Sequence, residues 1–78
     1  MNDFDARLRE ALLASDDSFR QLVEDHQRSE QRLSELQSNA MPSPEEELEE
    51  KQLKLHKLAL KDRMERILRE HREERVPA

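Results

Sequence analysis

The sequence has no cysteine, no glycine, no tryptophan and no tyrosine, and only two phenylalanines. Without cysteine it can build no disulfide framework, no thiolate nucleophile and no thiolate metal site. Without glycine it can form no phosphate-binding loop, dinucleotide-binding fingerprint or nucleophile elbow, because each needs a residue that tolerates positive φ or a close backbone approach. Long apolar runs are missing too: nothing approaches the roughly 18 consecutive apolar residues that mark a membrane span. The first residues, Met1-Asn2-Asp3-Phe4-Asp5, are acidic and lack the basic and apolar regions of a signal peptide, and Asn2 does not fit the N-myristoylation motif. The expected location is the cytoplasm, with no membrane association.

What is present is charge. Of 78 residues, 42% are charged and 33% hydrophobic, and the formal net charge is −5. This length allows one small domain, residues 1–78, with a limited core. The acidic balance repels phosphate backbones. A composition rich in Glu, Leu, Arg and Lys belongs to long helices or coiled coils.

The strongest break is Ala40-Met41-Pro42-Ser43-Pro44. Each proline ring clashes with helical geometry at the residue before it, so Met41 and Ser43 are both pushed out of helix. Ser43 then reads as an N-cap, Pro44 as the first helical residue and Glu46 as the third, completing a capping box. Glu45, Glu46, Glu47, Glu49 and Glu50 occupy the first turns, where the helix dipole favours negative charge. A weaker break is Ser15-Asp16-Asp17-Ser18, residue types that bond their own backbone and prefer caps to interiors. The pattern predicts helices over about 3–14, 16–39 and 44–74, with a turn at 40–43 and fraying before Pro77. So short a connection sets the last two helices antiparallel. The expected fold is therefore all-α: a short N-terminal helix followed by a long, coiled-coil-like antiparallel hairpin.

The second helix carries Phe19, Leu22, His26, Ser29, Leu33 and Leu36 alternately three and four apart, a heptad seam with Val23 beside it. The third helix has two apolar stripes at about 100° per residue. Leu48, Leu55, Leu58 and Ala59 form the first; Leu53, Leu60, Met64 and Ile67 form the second. A hairpin needs one seam per helix, so the second stripe calls for another cover. The first helix offers Phe4, Leu8, Ala11 and Leu12 but is too short to be stable alone, isolated helices below roughly 12–15 residues being marginal. The expectation is that Leu53, Leu60, Met64 and Ile67 make a homo-oligomer (dimer or tetramer) or bind a partner helix. On this view Leu60→Glu abolishes assembly and leaves the hairpin helical, with Phe4 and Leu8 competing for the same stripe.

Phe19-x-x-Leu22-Val23-x-x-His26, then Leu33, Leu48 and the run Lys57-Leu58-Ala59-Leu60-Lys61-Asp62-Arg63-Met64-x-x-Ile67-Leu68, resembles the YdcH-like family of small bacterial proteins of unknown function. The Lys-Leu-x-Leu-Lys-Asp run is its most specific part, and the resemblance spans nearly all of the chain. It implies a helical hairpin and a bacterial, cytosolic origin, and it implies no activity. Ser29 departs from the family pattern, which usually has an aliphatic residue there.

Few residues suggest chemistry. In a hairpin turning near Pro42, His26 lies opposite His56 to Ala59, so two imidazoles are candidates to approach as metal ligands. No His-Glu-x-x-His or Glu-x-x-His spacing supports them, and Glu24, Asp25 and Glu30 are ordinary neighbours in so charged a chain. The expected role of His26 is to set register within the seam, with Phe19 and Leu22, and neither metal nor cofactor is expected. Asp62, beside Lys61 and four before Arg66, falls across from Leu22 and Val23 and is a second register candidate. Lys54, Lys57, Lys61 and Arg72 line a basic stripe, but RNA binding would add stacking aromatics or a basic domain. Paired carboxylates lack a water-excluding pocket, and Ser18, Ser29, Ser34 and Ser38 read as helix-surface residues, so no enzyme is expected. The reading is a small non-catalytic interaction or scaffold protein. Its alternative is an RNA- or ribosome-associated regulator that uses the lysine face.

Overall fold

A computed structural model describes residues 3–75, and side chains within 4–73. It contains three α-helices and, among the described residues, no strand: α1, Asp3–Ser15; α2, Asp17–Gln37; and α3, Pro44–Arg75. Helices α2 and α3 form the antiparallel hairpin, and α1 packs back against its open end. A helix of this length runs about 48 Å at 1.5 Å per residue, so α3 sets most of the 54 Å long axis. The expected fraying before Pro77 lies outside the described residues.

Local chemistry explains each boundary. Asp16 stands outside α2 with φ −119° and ψ 105°, and its carboxylate accepts from the Phe19 N–H at 3.1 Å. The α1–α2 joint is closed by Asp16 N–H donating to Leu12 O at 2.8 Å, and by Arg20 Nε donating to Leu13 O at 2.9 Å. Two of the carbonyls at the end of α1, those of Leu12 and Leu13, are thereby satisfied. Helix α2 ends at Gln37, two residues before the expected Asn39: Ser38 N–H still donates to Ser34 O in helical spacing, whereas Asn39 N–H closes a tighter turn onto Leu36 O. The hairpin turn therefore spans 38–43 rather than 40–43.

The capping box at α3 forms as the sequence indicates. Glu46 N–H donates to Ser43 Oγ at 3.2 Å, and Ser43 N–H donates to Glu46 Oε1 at 3.1 Å. Asn39 ties this box to the end of α2: its side-chain amide donates to Glu46 Oε2 at 3.1 Å, and its side-chain oxygen accepts from Met41 N–H at 3.0 Å.

The core sits away from the turn, where the three helices meet. Leu8 and Leu12 of α1, Phe19 and Val23 of α2 and Met64 of α3 are buried together, with Leu13, Leu22, Ile67 and Leu68 packed around them. Towards the turn the hairpin narrows to Leu33 and Leu36, which are buried, and Leu53, which is half-buried. Ser29, expected on the helix surface, is instead buried between the two regions, so the family's aliphatic position holds a small side chain at the waist of the seam. Arg72 of α3 donates to both carboxylate oxygens of Asp5 at 3.2 Å, fastening the start of α1 to the end of α3.

Candidate functional site

The side of α3 that faces α2 can be followed residue by residue. Glu46, Glu50, Leu53, Lys57, Leu60, Met64, Ile67 and His71 recur four and three apart, and every one of them is buried or half-buried. This is a continuous heptad seam in which half the positions are polar. Leu60 is 3% exposed, and Met64, 5% exposed, packs with Leu8 and Leu12 of α1 and with Phe19 and Val23 of α2. The expectation that Leu53, Leu60, Met64 and Ile67 await a cover from outside the chain is thus corrected. Helix α1 is short, but its Leu8 and Leu12 reach the one part of α3 where Met64, Ile67 and Leu68 widen the apolar surface beyond what α2 alone would bury.

The stripe left in solvent is the other one. Leu48, Leu55 and Leu58 are 56%, 69% and 59% exposed, and Ala59 beside them is exposed as well. With the α2-facing positions taken as one edge of the helix, these residues fall on the opposite edge. Lys51 and Asp62 share this edge, and both are exposed. Phe4 on α1 is 43% exposed while Leu8 is buried, so Leu8 is committed to the core and is no competitor for an external contact.

Polar pairs flank the hairpin and hold its register. Arg32 grips Glu49 through two hydrogen bonds, Nε to Oε2 at 2.7 Å and Nη2 to Oε1 at 2.9 Å, and also donates to Glu35 at 3.2 Å. Glu30 meets Lys57 at 3.4 Å, and His56 Nε2 lies 3.0 Å from Asp25 Oδ2. Neither the Arg32–Glu49 clamp nor the Asp5–Arg72 latch was singled out in the sequence, where they are ordinary charges among many.

The two histidines do not meet. His26 lines a shallow groove on one flank of the hairpin with Glu30, Leu33, Lys54, Leu58 and Lys61, and its Nδ1 is 3.9 Å from Glu30 Oε1. His56 lines a groove on the other flank with Asp25, Leu22, Arg63 and Arg66. The approach of the imidazoles considered above is therefore corrected: residues 56 and 57 point to opposite sides of the seam, and it is Lys57 that turns towards the His26 side. Among the described residues there is no group of three or more His, Cys, Asp and Glu placed to hold a metal ion. Of the register candidates, Phe19 is fully buried and Leu22 and His26 are half-buried, but Asp62 is exposed. Its sequence position does fall across from Leu22, but it sits on the outer edge of α3, so register is held by Arg32–Glu49, Glu30–Lys57 and Asp25–His56 instead.

Electrostatics concentrate at the turn. Glu46 is held below its usual 4.5 by the Ser43 N–H, the Asn39 amide and the Ser43 hydroxyl. Glu49 is lowered by the Arg32 guanidinium, and Glu50 by Lys54 and then Gln37. Arg32 is pushed up by Glu49 and Glu35, so it stays charged throughout the accessible range. A carboxyl whose folded-state value is depressed contributes stability above its unfolded value, and that contribution is lost as pH falls through the folded one. The turn end is therefore expected to loosen as pH drops below about 4.5. Thermal melts between pH 6 and pH 3 check this (both values chosen to bracket the carboxylate range of about 4). Wild type should lose more of its melting temperature across that interval than Arg32→Gln, which has no Glu49 clamp to lose; equal losses would contradict it.

Three cations of the basic stripe are paired with carboxylates, one of them across the hairpin. Lys54 is held by Glu50 at 3.1 Å, Lys57 by Glu30 at 3.4 Å and Arg72 by Asp5 at 3.2 Å. No helix among the described residues is long and apolar enough to cross a membrane. No curated protein and no solved structure matches the chain. A family model described as protein of unknown function (DUF465) matches residues 19–68, which covers α2, the turn and most of α3. The matched segment is 50 of the 78 residues, and it contains both runs that carried the YdcH-like resemblance; the chain belongs to this family, a family without an assigned function.

Proposed function

We propose that the protein is a non-catalytic helical interaction module that docks another protein through the Leu48, Leu55 and Leu58 edge of α3. The observation that carries this reading is that three leucines, each more than half exposed, line up on an edge of α3 left uncovered among the described residues. Burying a leucine fully is worth about 1.5–3 kcal/mol, so covering these three by more than half supplies a useful part of a helix–helix affinity. Single exposed leucines are ordinary; an aligned set flanked by charges is the form that helix-in-groove and bundle contacts take. Acid–base catalysis would need a water-excluding pocket, and the two hairpin grooves are shallow and open. The nucleic-acid alternative is weakened by the carboxylates seated on Lys54, Lys57 and Arg72, since each paired cation has less to gain from a phosphate.

A photo-crosslinking residue at position 55, compared with one at the exposed Arg28 position of α2, tests this in living cells. The expected result is a protein adduct at position 55 that disappears with Leu58→Glu and has no counterpart at position 28. Adducts of equal yield at both positions, or adducts at position 55 indifferent to Leu58→Glu, would overturn the reading.

A further inference from the structure

We infer that the occupant of this edge is the same edge of a second copy of the chain, with the two α3 helices antiparallel. The inference rests on the proposed contact and adds its partner and geometry. If Leu48 and Leu55 are taken as equivalent heptad positions, Lys51 and Leu58 occupy the companion seam positions, and Asp62 and Glu65 continue the two series. Glu47, Lys54 and Lys61 then form the flanking row on one side, and all three are exposed.

Orientation follows from charge. A parallel pair would stack each seam residue on itself, placing Lys51 on Lys51, Asp62 on Asp62 and Glu65 on Glu65, with like charges facing in a contact that excludes water. An antiparallel pair instead sets Leu48 of one copy on Leu58 of the other, twice by symmetry, and lays Leu55 along the aliphatic stem of Lys51. In the same register the flanking row brings Glu47 of one copy beside Lys61 of the other, again twice. Like charges meet at the two-fold axis, where Lys51 and Lys54 of both copies come level; each Lys54 ammonium is held by its own Glu50 at 3.1 Å.

Sedimentation equilibrium of the full chain, at low salt and over a wide concentration range, tests the inference. Wild type should dimerise reversibly. Leu55→Glu should raise the dissociation constant by about 100-fold or more, since it affects both copies at the centre of the contact. Glu47→Lys and Lys61→Glu should each weaken the dimer about tenfold, and the double reversal should return to within about threefold of wild type, because only the sign of each pair is exchanged. Far-UV circular dichroism at monomeric dilution checks that every variant keeps its helices. As a measure independent of charge, an oxidised mixture of Leu48→Cys and Leu58→Cys should give the mixed disulfide, and Leu48→Cys alone should give none. A monomer at every concentration would overturn the second-copy inference alone, leaving the position 55 crosslinks to judge the contact. A dimer indifferent to Leu55→Glu would overturn both. A dimer that needs Leu55 but is not rescued by the double reversal, or that forms Leu48→Cys homodisulfides, would overturn the antiparallel geometry.

Discussion

Leu60→Glu is expected to unfold the protein rather than merely separate it from a partner. Leu60 is 3% exposed on the α2-facing side of α3, so a carboxylate there would be taken out of water. An unpaired buried charge costs several kcal/mol even after the surroundings relax. A small domain seldom has more than about 3–5 kcal/mol of stability to lose. The far-UV helical signal should therefore collapse at room temperature and neutral pH. Leu55→Glu, five residues earlier and 69% exposed, should change the unfolding free energy by no more than about 0.5 kcal/mol in the monomer. Urea melts of the two variants, run below the concentration at which wild type associates, measure the difference. A helical, cooperative Leu60→Glu chain would show that α3 turns its other edge to α2.

Phe19→Ala carries the second large effect. Phe19 is the one fully buried large side chain among the described residues, placed in the first turn of α2 where α1 and α3 both reach it. Its backbone N–H is also the donor to the Asp16 cap, so the ring is held at a defined angle to the α1–α2 joint. Removing a buried aromatic ring costs about 3–5 kcal/mol, because the transfer free energy is lost and a cavity remains. Leu8, Leu12, Val23 and Met64 would line that cavity, and α1 has few other apolar contacts with which to stay docked. The expected sequence of events on adding urea is loss of α1 and then of the hairpin at a much lower midpoint than wild type. Phe4→Ala is the control, since Phe4 is 43% exposed and should cost less than about 1 kcal/mol. Near-equal midpoints for Phe19→Ala and wild type would contradict the core described here.

The helices and the turn were legible because their signals are local. Two prolines around Ser43, with Glu46 three residues on, leave few ways to start α3, and the observed capping bonds use those same atoms. The break at 15–18 was legible for the same reason, but Asp16, expected as the first residue of the helix, stands outside α2 as its cap, and α2 stops two residues early because Asn39 serves the turn. The choice of face on α3 was not legible, and the cause is physical. Half of its true seam is polar: Glu46, Glu50, Lys57 and His71 occupy core-facing positions at the narrow ends and waist of the hairpin, where a long side chain can bury its stem and keep its charge in water. Read by hydrophobicity alone, the outer edge with Leu48, Leu55 and Leu58 looks like an equally good seam. Pairing across the hairpin decides between them, through Arg32–Glu49, Glu30–Lys57 and Asp25–His56, and such pairs are set by three-dimensional register, which spacing along one helix does not contain. Docking of α1 was half legible: its Leu8 and Leu12 face was evident, whereas the Asp5–Arg72 latch joins residues 67 apart in the chain.

The central claim is that α3 gives Leu53, Leu60 and Met64 to the chain's own core and keeps Leu48, Leu55 and Leu58 for a contact outside it. Because the sequence contains no cysteine, single cysteines at these six positions can be read without background by the rate of thiol labelling in the native protein at monomeric dilution. The account expects fast labelling at 48, 55 and 58, slow labelling at 60 and 64, and an intermediate rate at 53. Protection at 48, 55 and 58 with free reaction at 60 and 64 would contradict it.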